Sequence, residues 1–384
     1  MHASPGTVDI LHRLVAFDTT SRNSNLALIA YVRELLAPHG VTVREHRSQD
    51  GQKAALHVLI GPAVEGGLAL SGHVDTVPVD GQSWRTDPFT LTQEGGRLYG
   101  RGAADMKGFV AAMLAAVPDF VAMRLARPIH LFITFDEETN MEGAHTLVRG
   151  LPALPRPAMC VVGEPSLMQP VVGHKGRLAA QVLVRGVAGH SSDPPRGLNA
   201  VHVAASLVTS LAAQAEQLER EGPFVAGFSP AWTTSQVGTI HGGQILNIIP
   251  ECCEFTVEWR PVPGHDVVPC LAALQAQAAA LTQAMQARFP TAGIEVTILD
   301  SVPGMALPAD HELAALVRRA AGSNGAGHVS YATEGGIYQQ AGIPTIVCGP
   351  GSIEQAHRPD EFVEIAQLAA ADAFLRRLAG TLSA

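Results

Sequence analysis

Apolar positions recur along the chain in two rhythms. Val8 to Phe17 and Leu26 to His39 carry them at helical spacing, and Pro38 and Gly40 close the second stretch. Val41 to Glu45 alternates as a strand does, and Ala54 to Ile60 and Gly67 to Leu70 read as further strands, the last of them buried. Lys107 to Val117 is a helix of small residues. Pro128 to Phe135 is an apolar, β-branched run that ends in acids, and Met159 to Gly163 repeats that form before Glu164. Helices alternating with strands, with polar residues at the strand ends, predict the α/β class with a sheet covered on its faces. In such sheets functional groups gather at the carboxyl ends of the strands.

The middle of the chain follows a different pattern. Arg177 to Arg185 places Leu178, Ala180, Val182 and Val184 on one side, as in a sheet with one exposed face. A long helix over Leu198 to Leu218 follows, then alternating stretches at Trp232 to Ile240 and Cys252 to Arg260. A second long helix over Asp266 to Phe289 and a strand at Ile294 to Leu299 complete the order β-α-β-β-α-β, a ferredoxin-like α+β unit. Tyr331 to Cys348 returns to the first pattern. The expectation is a discontinuous larger domain, 1–176 and 294–384, with a smaller domain inserted at 177–293.

Composition narrows the possible partners. The 384 residues hold 26 Lys and Arg against 35 Asp and Glu, a net charge of −9 with no basic cluster, which argues against nucleic acid. Hydrophobic residues make up 47% and charged residues 16%, enough apolar matter for a sizeable core. Mean hydropathy is slightly positive, yet no apolar run approaches the ~18–20 residues of a membrane span. The N-terminal Met1 to Pro5 lacks the basic and apolar regions of a signal peptide, and five Cys make no disulfide framework. A cytoplasmic protein is expected.

The chemistry sits at the predicted strand ends. In Ser71-Gly-His73-Val-Asp75, His73 and Asp75 are two positions apart, so in extended chain both point the same way. Asp75 could brace a metal-binding imidazole, although an isolated H-x-D is more often a routine loop contact. Asp105, in Gly100-Arg-Gly-Ala-Ala-Asp105-Met-Lys-Gly108, could cap the next helix or bridge two cations. Asp136-Glu137-Glu138 repel one another unless protons or a cation relieve them; a solvated turn is the bland alternative. Glu164 ends another strand, and His357 lies in Gln355-Ala-His357-Arg-Pro-Asp-Glu361. Two His and several carboxylates without Cys suit Zn²⁺ or a similar ion, and one shared carboxylate makes a two-metal site.

These motifs, in this order, resemble the aminoacylase/carboxypeptidase G family of metallohydrolases, which includes acetylornithine deacetylases and succinyl-diaminopimelate desuccinylases. The resemblance covers nearly the whole chain. It implies a zinc-peptidase-like α/β catalytic domain with two divalent ions, Zn²⁺ or Co²⁺, and an inserted domain through which the chain forms a homodimer. It implies His73 and Glu164 on one ion, Glu138 and His357 on the other, and Asp105 between them. Glu137 resembles the general base and Asp75 the partner of His73. A cis peptide after Asp105 is also implied. His190, in Gly186-Val-Ala-Gly-His190-Ser-Ser, resembles a histidine that reaches a partner's active site and stabilises the oxyanion. Asn247 and Arg260 resemble contacts to a substrate carboxylate.

Several strings resemble the acetylornithine deacetylase branch in particular: His174-Lys-Gly, Ile240-His-Gly-Gly, Arg260-Pro-Val-Pro-Gly264, Thr333-Glu334 and Gly349-Pro-Gly-Ser-Ile-Glu-Gln-Ala-His357. The substrate implied is an N-acyl amino acid, N2-acetyl-L-ornithine first. Acetylcitrulline, a succinylated amino acid or a dipeptide are the alternatives. Glu334 would meet a substrate ammonium, or else stand as a capping or buried paired acid.

Overall fold

The computed structural model describes residues 3–383, which form two compact units. The larger comprises Met1–Gly173, Met305–His328 and Thr333–Ala384, and the smaller His174–Gly304 and Val329–Ala332.

The larger unit is built on a nine-stranded mixed sheet. At its centre Leu68–His73 runs parallel to Ile129–Thr134 on one side and to Met159–Pro165 on the other. Thr345–Gly349 continues the parallel set beside Met159–Pro165. Thr42–Arg47 and Ala54–Ile60 form an antiparallel edge. The central strands read as unbroken apolar runs because both faces are covered: every residue of Leu68–His73 and Ile129–Thr134 is buried. The helix Lys107–Ala115 lies so close to the sheet that a Cβ on Gly163 would stand 1.9 Å from the Phe109 ring. Only glycine permits that approach.

Most predicted elements form within a few residues of their expected ends. The Leu26 helix runs to Leu36 and tightens into a 3-10 turn at Ala37–His39, which Gly40 closes at φ +65°. Three helices of nine residues or more, Glu142–Gly150, Glu312–Ala321 and Ile365–Gly380, lie outside the elements the pattern predicts. So does a small sheet of Thr92–Glu94, Arg97–Tyr99 and Phe362–Glu364. Its strands are three residues long, too short to show a period. Their pairing sets Tyr99 opposite Phe362, and so lays the loop of Asp105 beside that of His357.

The smaller unit has a four-stranded antiparallel sheet. In its own chain order the strands lie 2-3-1-4: Thr234–Gly242, Cys252–Arg260, Arg177–Arg185, Gly293–Val302. This is the ferredoxin-like arrangement. Helices Ala200–Glu221 and Val268–Gln286 cover one face, where Leu178, Val182, Phe255, Val257 and Trp259 are buried. The first helix starts at Ala200 because Asn199 caps it, accepting from the backbone N–H of Val201 (3.0 Å) and His202 (3.1 Å). Gly293–Val302 pairs along its length with Arg177–Arg185, so the smaller unit runs on to Gly304.

Candidate metal centre

The three adjacent parallel strands end at one place. His73 is the last residue of the central strand and is fully buried. Its Nδ1–H donates to the Asp75 carbonyl oxygen at 3.0 Å, since a carbonyl can only accept. Its Nε2 faces Asp105 Oδ1 (3.1 Å) and Glu164 Oε1 (3.6 Å), the side on which the neutral ring would offer a lone pair to a cation. Glu164 arrives from the neighbouring strand Met159–Pro165.

The other neighbour, Ile129–Thr134, delivers the acid run. Asp136 takes a left-handed conformation, φ +58°, and its carbonyl accepts from the N–H of Asn140 (3.1 Å) and Met141 (2.6 Å). The chain therefore turns back and carries Glu137 and Glu138 inward, so the solvated-turn alternative does not hold. The Asp75 carboxylate accepts from Glu137 N–H at 3.1 Å, Glu138 N–H at 3.3 Å and the Ser21 hydroxyl at 2.7 Å. Its Oδ1 also lies 3.4 Å from His73 Nδ1. Asp75 thus holds the glutamate turn by its side chain and the histidine chiefly by its backbone.

Asp105 stands between two imidazoles. Its Oδ1 faces His73, and its Oδ2 lies 3.4 Å from His357 Nε2, which is also 2.9 Å from Glu138 Oε2. It does not cap the following helix, whose first turn receives no side-chain bond, and the Asp105–Met106 peptide is cis. Ligand atoms of His73, Asp105 and Glu138 lie within 4.8 Å of one another, as do those of His73, Glu137 and Glu164.

Electrostatics make this cluster unstable on its own. Burial raises the carboxyl groups of Glu137 and Glu164 well above the usual range, with neighbouring acids adding to it, and raises Glu138 to about 7. Hydrogen bonds to Asp105 and Glu138 raise His357 to about 10. Burial opposes a charge on His73, but Asp105 and Asp75 hold its pKa well up. Burial also opposes the charge on Asp105, which the two imidazoles nevertheless keep below the usual carboxylate range. Glu164 Oε1 is buried with no hydrogen-bond partner among the described residues. Cations would replace those protons and take that orphan oxygen; an all-N/O donor set with one shared carboxylate fits a pair of divalent ions.

The remaining predicted residues divide between the two units. Glu334 belongs to the larger unit and is fully buried. Its Oε2 accepts from Ser71 Oγ (3.2 Å) and Tyr338 OH (3.3 Å), while Oε1 has no partner among the described residues. It caps no helix by its side chain, and burial raises its pKa. His190, Asn247 and Arg260 belong to the smaller unit. His190 is exposed, with Nδ1 2.7 Å from Ser192 Oγ, and pairs by its backbone with Ile248, next to exposed Asn247. Arg260 is half-buried and lies 3.0 Å from Glu258.

Sequence reasoning missed the residues that fasten the site. Ser21 and Lys53, the latter paired with Asp136, lie far from any metal-ligand motif. Arg101 and Glu361 form an ion pair at 2.8 Å with both side chains 1% exposed. Both stand inside quoted motifs, and an Arg and a Glu in otherwise glycine-rich or turn-forming stretches were the only signal.

Comparison with known proteins agrees with this geometry. A profile of peptidase family M20/M25/M40 matches residues 69–381. The chain is 36% identical, over 94% of its length and 93% of the other's, to an acetylornithine deacetylase of Proteus mirabilis. It is 38% identical to one of Yersinia pestis, over 91% of this chain and 89% of that one. Among solved structures it is similar to a tripeptidase of Staphylococcus aureus (TM-score 0.77, 20% identity, 100% and 99% coverage). It is also similar to an M20 family metallo-carboxypeptidase of Sulfolobus solfataricus (TM-score 0.77, 17% identity, 98% and 99% coverage). A dinuclear metal-binding M20 peptidase of Bacillus subtilis shares the fold as well (TM-score 0.65, 13% identity, 98% and 97% coverage).

Proposed function

The chain belongs to peptidase family M20/M25/M40, and from that premise we propose that it hydrolyses N2-acetyl-L-ornithine to ornithine and acetate, a step of arginine biosynthesis. It is a metal-dependent hydrolase of a linear amide. The observation that carries the substrate is the near full-length similarity to acetylornithine deacetylases at 36–38% identity.

Two divalent ions, zinc first and cobalt as a substitute, are the cofactors in this reading. His73 and Glu164 would hold one, Glu138 and His357 the other, and Asp105 both. Bound there, the ions supply Lewis acidity toward the amide carbonyl and lower the pKa of water. Glu137 takes a proton from the attacking water and returns it to the leaving amine. Burial and the neighbouring acids disfavour its carboxylate form, and the cations would offset this. Asp75 keeps Glu137 in place through the bond to its N–H.

His190 donates to the oxyanion of the tetrahedral intermediate, and does so from the partner subunit of a homodimer built through the smaller, inserted domain. Arg260, with Asn247, receives the substrate carboxylate, for which a guanidinium fork is suited. Glu334, with one buried oxygen unpartnered among the described residues, receives the ornithine ammonium. The enzyme works in the cytoplasm; among the described residues no helix is long and apolar enough to cross a membrane.

A substrate panel tests this. kcat/KM is measured on acetylornithine, acetylcitrulline, acetylmethionine, succinyl-diaminopimelate and a dipeptide. Acetylornithine should lead by at least tenfold, about 1.4 kcal/mol in transition-state binding. A lead for any other member overturns the substrate.

A further inference from the structure

Glu361 is a buried carboxylate with no bond to either imidazole of the site, yet it spends both of its oxygens on the loop that carries Asp105. Oε1 accepts from the N–H of Ala104 (2.9 Å) and of Asp105 itself (3.1 Å). Oε2 accepts from Gly102 N–H (3.1 Å) and from an Arg101 NH1 (2.8 Å). Arg101 also donates to the Arg358 carbonyl (3.3 Å) and, at 2.6 Å, to Gln82 Oε1, with its guanidinium over the Trp84 ring. The Gln82 amide donates to the His357 carbonyl at 3.1 Å.

That carbonyl belongs to a residue in a left-handed backbone conformation, φ +64°, which a side-chain-bearing residue keeps only when its surroundings hold it. Asp105 and His357 are 252 positions apart in sequence and meet at 3.4 Å. One continuous chain of bonds runs from the backbone of the first, through Glu361, Arg101 and Gln82, to the backbone of the second. Nothing in it reaches the reacting atoms.

We propose that Glu361, Arg101 and Gln82 are positioning residues that fix the separation of Asp105 and His357, and thereby set the affinity of the cation held by Glu138 and His357. This rests on the two-cation reading. The other cation, on His73 and Glu164, is braced independently by strand pairing and by the His73–Asp75 bond. Asp105 serves both ions, so removal of the brace reaches both, but it weakens the ion on Glu138 and His357 the more, by about 10- to 100-fold, as loss of a residue supporting a metal ligand does. A merely structural role would weaken both alike.

The test is a Co²⁺ titration of the metal-free full-length protein, with melting measured in parallel. Wild type should take two equivalents. Gln82→Ala, at a half-buried position, and Glu361→Gln should weaken the second Co²⁺ at least tenfold and the first by clearly less. Arg101→Lys, which keeps the charge and loses the fork, should fall between. Unchanged constants in folded Gln82→Ala and Glu361→Gln, or an equal loss at both steps, overturn the inference. If Glu361→Gln does not fold, Gln82→Ala and Arg101→Lys decide it. Wild type that takes fewer than two equivalents overturns the two-cation reading, and the brace with it.

Discussion

The two units present most of their candidate residues in opposite ways. In the larger, His73, Asp75, Asp105, Glu137 and Glu164 are buried with their protonation perturbed, and His357, though exposed, lies 2.9 Å from Glu138. In the smaller, His190 and Asn247 are exposed on loops that the unit's own core leaves open, and Arg260 is held by one carboxylate. A site that must hold charge has to be built rigidly before anything binds. Groups that meet a substrate only after it arrives need reach rather than burial.

The contrast breaks first at Asp105. Asp105→Ala should lose both ions and reduce turnover to background, and metal analysis with retained turnover or two bound ions would separate Asp105 from the shared role. His190→Ala should lower kcat by about 10²–10³, the usual loss for one oxyanion donor, with metal content and melting unchanged. Mixed with Glu137→Gln protein it should regain activity if the histidine acts across a dimer, and no rescue at any ratio argues against that.

A smaller effect tests whether every buried polar group of the larger unit serves the site. His57 and His130 lie in the sheet core, Nε2 to Nδ1 at 2.9 Å, and His130 Nε2 donates to the Gly66 carbonyl at 3.2 Å. His130 Nδ1 must then accept and His57 donate, so both rings are neutral. Burial, with the His130 charge second, lowers His57 to about 3. The unfolded chain takes its proton near 6.5, so the stability present above that pH is lost as pH falls toward 3. Between pH 7 and 5 wild type should lose about 2 kcal/mol more than His57→Gln, from ~1.4 kcal/mol for each pH unit below 6.5. Chemical denaturation at the two pH values reads this difference, and equal losses would show that the pair does not stay neutral.

Much of the molecule was legible from spacing. The central strands were readable because both faces are covered and the residues are apolar throughout, and the 177–185 and 252–260 strands because one face alternates. The ligand types were readable because acids and imidazoles at strand ends have few other reasons to cluster. The three-stranded sheet was not, since a strand of three residues carries no period. Nor was Asp75's grip on the Glu137 and Glu138 backbones, because a bond to main-chain N–H leaves no mark on the partner's residue type. Glu361 was visible as a residue and silent as to role for the same reason: its partners are the N–H groups of Gly102, Ala104 and Asp105.

The separation of Glu137 from its neighbour Glu138 is the centre of the proposed mechanism: adjacent carboxylates, one assigned to move a proton and one to hold a cation. Glu137→Gln keeps the size of the side chain and the N–H bond to Asp75 while removing the base. Metal content and kcat on acetylornithine, measured on the same sample, decide it. Two bound ions with kcat reduced by about 10²–10⁴, the range for general acid–base catalysis, is the predicted result; two bound ions with wild-type turnover would contradict it.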